Sequence, residues 1–393
     1  MKWPMVEIKA VAEIITGKTP SKSDNSFFGG VVPFITPVEL TNSNYLLCPK
    51  EHLSTKGVSI SKLIPKNSIL VCCIGSLGKI AIADKDVVTN QQINSVIFDQ
   101  KKVDYKYGFY ALNLLKNELK NIAPSTTVPI VNKSRFSEMK IPLPPLSEQK
   151  RIAAVLDHAN SIHCKRKQAI KLADVFLRET FLDIFGDPVD NPKGWKTQKI
   201  NKGVLKIISG WSATGENVPC NSDELGVLKI SSVTTGVFKP EENKVVNAER
   251  IPASKKLIIP KSGDLLFSRA NTRELVAAIC MVHQDYDNIF LPDKLWSIKL
   301  NHELLLPEFF VVLIQNKKVR ELLTKQATGT SGSMLNISKG KFEETEIIYP
   351  DLHIQQKFCN VFRAITSWQK KSVESHRLIN NSLNSISYMV FGS

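Results

Sequence analysis

Two arginines four positions apart, Arg269 and Arg273, frame Asn271 and Thr272 and follow Ser268 in the stretch Ser268-Arg269-Ala270-Asn271-Thr272-Arg273. Arginine donates bidentately to guanine, asparagine pairs with the adenine edge, and hydroxyls suit phosphate oxygens. A second stretch, Thr89-Asn90-Gln91-Gln92, offers consecutive amides capable of the adenine contact. A third, Lys18-Thr19-Pro20-Ser21-Lys22-Ser23, groups lysines and hydroxyls without a bulky apolar residue, a composition suited to phosphate. The candidate contact residues are Lys18, Thr19, Ser21, Lys22, Asn90, Gln91, Gln92, Ser268, Arg269, Asn271, Thr272 and Arg273. The net charge of +15, from 52 Lys+Arg against 37 Asp+Glu, favours a polyanionic partner, although an acidic protein would also satisfy it.

Residues for catalysis are not assembled in the same way. Thr16-Gly17-Lys18-Thr19 resembles the end of a phosphate-binding loop, but the glycine required five positions before Gly17 is Ala12. No G-x-G-x-x-G follows a strand, and Cys73-Ile74-Gly75-Ser76-Leu77-Gly78 reads as a tight turn. The seven histidines are scattered, with no H-E-x-x-H and no metal-ligand spacing. There is no N/D-P-P-aromatic tetrapeptide of the amino-methyltransferase kind, and Pro292-Asp293-Lys294 lacks the downstream acid-x-Lys of a nuclease. The expectation is therefore no catalytic residue and no metal site. Seven cysteines at 48, 72, 73, 164, 220, 280 and 359 include no C-x-x-C pair, which fits a reduced, cytoplasmic setting. Cys72 and Cys73 sit in a strand-like run and should be buried. No apolar run approaches the roughly 20 residues of a membrane span, so no membrane association is expected.

The candidate contact residues must be held by something, and the organising stretch is Ile141 to Gly186. Pro142, Pro144 and Pro145 keep its start extended, Ser147 is a plausible N-cap with Glu148 in the first turn, and Gly186 and Pro188 stop the helix. Between them, Ile152, Val155, Leu156, Ile162, Phe176 and Leu177 recur at helical spacing on three adjacent rows, a stripe that must be buried. The stretch returns without a gap 206 residues later. Pro144 matches Pro350, Gln149 matches Gln355, Val155 matches Val361, and Phe185-Gly186 matches Phe391-Gly392. Phe358, Val361, Phe362, Trp368, Ile379 and Leu383 carry the second stripe. Two helices of equal length and patterning are expected to pair antiparallel.

The segments before them also repeat. WPMVEI at Trp3 resembles WKTQKI at Trp195, and Ile14-Ile15-Thr16-Gly17 resembles Ile207-Ile208-Ser209-Gly210. One helix from Tyr107 to Leu119, with Phe109-Tyr110, matches Phe309-Phe310 to Leu323. At 393 residues the chain exceeds a single core, and the repeat is a duplication of domain plus helix. The reading is an α+β protein with a pseudo-two-fold internal repeat: α/β domains at 1–145 and 188–346, helices at 146–187 and 347–393.

The PLPPLSEQKRIAAVLD block, the FGDP after it, the G-K-T-P-S near the N-terminus and the two-fold repeat together resemble the specificity subunit of type I restriction-modification enzymes. The resemblance spans nearly the whole chain, although Pro350-Asp351-Leu352-His353 departs from the first copy's Pro144-Pro145-Leu146-Ser147. It implies two target-recognition domains, each reading half of a split double-stranded DNA sequence, on a coiled-coil spacer where two modification subunits dock. S-adenosylmethionine, ATP and Mg²⁺ would then belong to those methyltransferase subunits and to the motor-nuclease subunits, with no cofactor in this chain. A protein-interaction scaffold and a self-contained DNA-modifying enzyme are the alternative classes.

Overall fold

The computed structural model describes residues 3–41, 49–124, 128–329 and 334–391, with side chains through residue 375. The chain divides into two compact units, Met1–Arg166 with Glu374–Ser393, and Lys167–Val373. Both dividing points fall inside a long helix. The central helix, Leu146–Phe185, and the C-terminal helix, Leu352–Phe391, have 40 residues each, about 60 Å at 1.5 Å per residue. Each unit therefore contains part of both.

In the first unit, an antiparallel sheet runs in the order Ala12–Thr16, Ile93–Phe98, Ile69–Cys72, Ile80–Ile82. The second unit repeats it as Val204–Ser209, Leu295–Leu300, Leu265–Ser268, Ile279–Met281. Each unit has a second sheet containing one parallel pair, four-stranded with Phe34 opposite Val88 in the first unit and three-stranded with Gly226 opposite Ile289 in the second. A short antiparallel ladder ties the start of each domain to the segment before its long helix: Met5 opposite Pro142, and Thr197 opposite Ile348. The strands are mostly antiparallel, and the 40-residue helices follow the sheets in sequence, so the class is α+β with the expected repeat.

Both long helices are fastened at their start by one buried glutamine. The Gln149 amide donates to the carbonyls of Lys102 and Pro144, and its oxygen accepts from the Asp104 N–H. Gln355 donates to the carbonyls of Leu304 and Pro350 and accepts from the Leu306 N–H. The second hinge is held as the first is, despite its different prolines.

These bonds set the register of the repeat. Leu306 lies 202 residues after Asp104, so Tyr107 matches Phe309, and the aromatic match of Phe109 with Phe309 is out of step by two. The expected single helices are each two. Tyr105–Leu114 and Lys116–Ile122 break at Leu115, and Pro307–Gln315 and Lys317–Lys325 break at Asn316, whose side chain caps the second piece.

An ion pair joins each domain to its helix, with the charges reversed between the copies. Lys106 meets Asp157 at 2.6 Å, and Asp157 also accepts from the Tyr110 hydroxyl. At the matching places, Glu308 meets Arg363 at 2.5 Å. The hydrogen bond to Glu308 raises the Arg363 pKa.

Apolar burial explains why the helices hold at their ends. Ile152 and Leu156 enter the first unit's core with Ile141, Phe136 and Tyr107. Phe181 and Phe185 of the central helix, with Phe358 of the C-terminal helix and Phe309, form an aromatic cluster with centroids 4.8–5.8 Å apart in the second. Cys72 and Cys73 are buried, and burial pushes the Cys73 thiol up to about 12.

Candidate nucleic-acid interface

In both units the candidate contact loops are built by a close approach of two backbones. Gly17 directly follows the first strand of its sheet, and a Cβ there would lie 2.3 Å from the carbonyl oxygens of Thr89 and Asn90. Gly210 is its counterpart, and a Cβ there would lie 2.0 Å from the Leu291 carbonyl oxygen. The next residue then donates its N–H across the crossing, Lys18 to Thr89 and Trp211 to Leu291. Gly17, in the sequence that resembled the end of a phosphate-binding loop, is required by this crossing.

Past the crossing, a hydroxyl reaches the return loop. Thr19 donates to the Gln91 side-chain oxygen, and Ser212 donates to Asp293 Oδ1. Gln91 and Lys18 are both exposed. Ser21 and Ser23 share a hydrogen bond, and Lys22 lies 3.5 Å from Glu51.

The other two amides of the first unit belong to the scaffold. Asn90 is only 7% exposed, donates to Gln92 Oε1 and accepts from the Gln92 N–H. Gln92 also donates to the Ile74 carbonyl. Of Asn90, Gln91 and Gln92, only Gln91 is exposed to solvent.

The arginine loop of the second unit separates its members. Ser268, expected as a contact residue, is fully buried at a strand end, its hydroxyl on the Ala270 carbonyl. Arg269 donates from Nε to the Asp293 carbonyl, and its guanidinium lies 3.6 Å from the Asp293 carboxylate. Asn271 turns back to accept from the Thr272 N–H. Arg273 is exposed and lines an open groove with Arg178, Lys317 and Lys325. Arg320 anchors that segment by donating to the carbonyls of Glu274 and Val276. Arg269 and Arg273 thus serve different surroundings. Ser212 and Asp293 were not among the sequence candidates; aligning Gly17 with Gly210 would have placed Ser212 opposite Thr19.

Among residues expected to pair the helices, Ile152 and Leu156 are in the first core, and Leu177, Phe358 and Phe362 pack into the second. Ile162 and Val361 are half-buried, while Val155, Phe176 and Trp368 are exposed by 42%, 58% and 44%. Ile379 and Leu383 lie outside the described side chains. The bonds found between the helices are polar. Arg166 donates to the Ser375 hydroxyl at 2.6 Å, and Gln369 donates to Asp174 at 2.8 Å and to the Ile170 carbonyl. Rising numbers on one helix meet falling numbers on the other, so they run antiparallel. The apolar rows are used where the helices cross their domains.

Among the described residues, no group of three His, Cys, Asp or Glu could hold a metal, and no helix is long and apolar enough to cross a membrane.

Residues 1–172 match the family described as type I restriction modification DNA specificity domain. The Methanocaldococcus jannaschii protein named type I restriction enzyme MjaIX specificity subunit is 26% identical over 92% of this chain and 86% of its own length. The Escherichia coli K12 protein named type I restriction enzyme EcoKI specificity subunit is 21% identical over 97% of this chain and 85% of its own. In fold, the crystal structure of the type I restriction-modification S subunit from M. genitalium superposes with a TM-score of 0.63 at 15% identity, covering 100% of this chain and 96% of that one. The family's domain thus covers the N-terminal 172 residues, relatives named type I restriction enzyme specificity subunits align along nearly all of the chain, and the fold of two repeats, each with a long helix, is similar to that of a type I restriction-modification S subunit.

Proposed function

We propose that this chain is the sequence-reading subunit of a type I restriction-modification complex, in which each domain, 1–145 and 188–346, reads one half of a bipartite, asymmetric double-stranded DNA site. The helices, 146–187 and 347–393, set the distance between the half-sites and dock two modification subunits, which the motor-nuclease subunits then join. The observation that carries this reading is one frame used twice with different side chains at the same loop positions: Thr19 with Gln91, and Ser212 with Asp293. Two like frames with unlike contact groups suit an asymmetric split target better than a palindrome, because equal readers would call for equal half-sites.

Lys18, Thr19, Ser21, Lys22 and Gln91 in the first domain, and Arg269, Asn271, Thr272 and Arg273 in the second, are the groups placed to meet DNA. Lysines and hydroxyls position the duplex, and amides and arginines read base edges. This chain supplies recognition and no bond chemistry. S-adenosylmethionine, ATP and Mg²⁺ are bound by the partner subunits, and the assembly works in the cytoplasm.

Methylome sequencing of cells with and without the gene tests the reading. The expected result is a split methylated motif that disappears with the gene. A methylome that does not change on deletion of the gene in a strain with intact modification subunits would reject it.

A further inference from the structure

The two contact loops carry one device in two chemical versions. In each unit the sheet's first strand is followed by a glycine that touches the return loop, and the residue two positions after that glycine donates a hydroxyl into the loop. The acceptor is the second residue after the crossing partner: Gln91 follows Thr89, and Asp293 follows Leu291. One further bond confirms the register. The residue after each central strand donates its N–H to the residue after the acceptor, Cys73 to Gln92 and Arg269 to Lys294. These backbone bonds recur in both units, while the group held between them changes from a carboxamide to a carboxylate.

We infer that Gln91 and Asp293 occupy one equivalent specificity position, one in each domain, and that the hydroxyls of Thr19 and Ser212 hold these groups ready to meet a base edge. The inference rests on the DNA-reading function proposed above. A clasp that only closed a loop would work with either group. Changing the group while keeping the hydroxyl and the backbone is what two readers of different bases need.

The chemistry differs in a definite way. In the first domain the counterpart of Arg269 is Cys73, which is buried, so Gln91 stands without a cation from that position. A carboxamide fits adenine, donating to N7 and accepting from N6. In the second domain Asp293 lies beside Arg269, whose Nε is fixed on the Asp293 carbonyl. Arginine suits guanine O6 and N7, and a carboxylate accepts from cytosine N4. The first position reads an A·T pair and the second a G·C pair. Fixing each side chain before binding removes part of its ordering cost on DNA.

The test uses the chain in complex with its modification subunits, with methylation mapped across a genome for the unaltered chain and for Gln91→Glu, Asp293→Asn and Thr19→Val. Gln91→Glu is expected to lower methylation at the original base pair of one position in one half-site by about tenfold or more, the size a bidentate contact supplies. The remaining positions, the gap and the other half-site stay as they were. Asp293→Asn does the same at one position of the other half-site. Thr19→Val keeps the preferred base and weakens the preference at the position that Gln91→Glu alters. Unchanged motifs in both acceptor variants would overturn the inference. So would an even loss over the whole motif accompanied by a lower melting temperature, which marks a clasp that only closes the loop. If the unaltered chain produces no motif at all, the DNA-reading function itself fails, and the two failures are told apart by that control.

Discussion

Beneath their contact loops, the two domains are filled with opposite materials. In the first, Thr16 donates to Asn94, and Thr89, Asn90 and Gln92 complete a polar layer in which the Thr89 hydroxyl has no partner among the described residues. In the second, the counterpart of Thr89 is Leu291 and that of Asn94 is Trp296, which stacks on Phe267 with centroids 5.5 Å apart. The strand order and the glycine crossing are unchanged. Backbone contacts therefore fix the frame, and the filling can be exchanged beneath it. A protein that must change what it reads without changing its fold gains from this separation.

The comparison can be broken at several depths. The largest effect is expected at the helix roots, where Ile152 and Phe358 are counterparts and both are buried. Phe358→Ala should destabilise the second unit by about 4 kcal/mol and Ile152→Ala the first by about 3, since the aromatic side chain leaves the larger hole. Urea unfolding followed by probes in each unit measures this, and the opposite ranking would mean that the aromatic cluster is poorly packed.

Gly17→Ala and Gly210→Ala come next. Each Cβ meets backbone carbonyl oxygens, and that of Gly17 also meets the Thr89 hydroxyl, so each variant should lose about 2–3 kcal/mol, and by similar amounts. A large loss in only one would show that the two crossings are not equivalent. Gln149→Leu and Gln355→Leu should each lose about 2 kcal/mol by stranding the buried carbonyls and N–H that the amides satisfy. Calorimetry on the two variants gives the comparison directly.

The smallest effect has the opposite sign. Thr89→Val replaces a buried hydroxyl lacking a partner with a methyl of the same shape, and should raise stability by up to about 1 kcal/mol. The melting temperature checks it. A clear loss would mean that this hydroxyl makes a bond.

The duplication and the long helices were legible because a gapless offset of 206 and apolar rows survive in the letters. The register within the repeat was not. Phe109-Tyr110 and Phe309-Phe310 look alike, but the glutamine bonds place the match two residues away. Asn90, Gln91 and Gln92 are equivalent as letters, and only the fold turns the first and last inward. Ser268 likewise belongs to a buried strand end that its polar neighbours concealed. The apolar rows correctly marked buried faces. They could not say whether the burying surface was the other helix or a domain, because both would select the same residues.

The reversed ion pairs bear on how such a chain avoids tangling while it folds. Its two long helices have equal length and begin with the same glutamine lock, so the root of either could seat on either domain. Seated wrongly, Asp157 would face Glu308, which is mostly buried, and Arg363 would face Lys106, like against like at both roots. Lys106 with Asp157 and Glu308 with Arg363 act as address labels that distinguish two otherwise interchangeable destinations. Exchanging the labels on the helices alone, as Asp157→Arg with Arg363→Asp, should lower the yield of correctly threaded monomer on refolding. Adding Lys106→Glu and Glu308→Lys should restore it, a recovery that simple loss of two ion pairs would not predict.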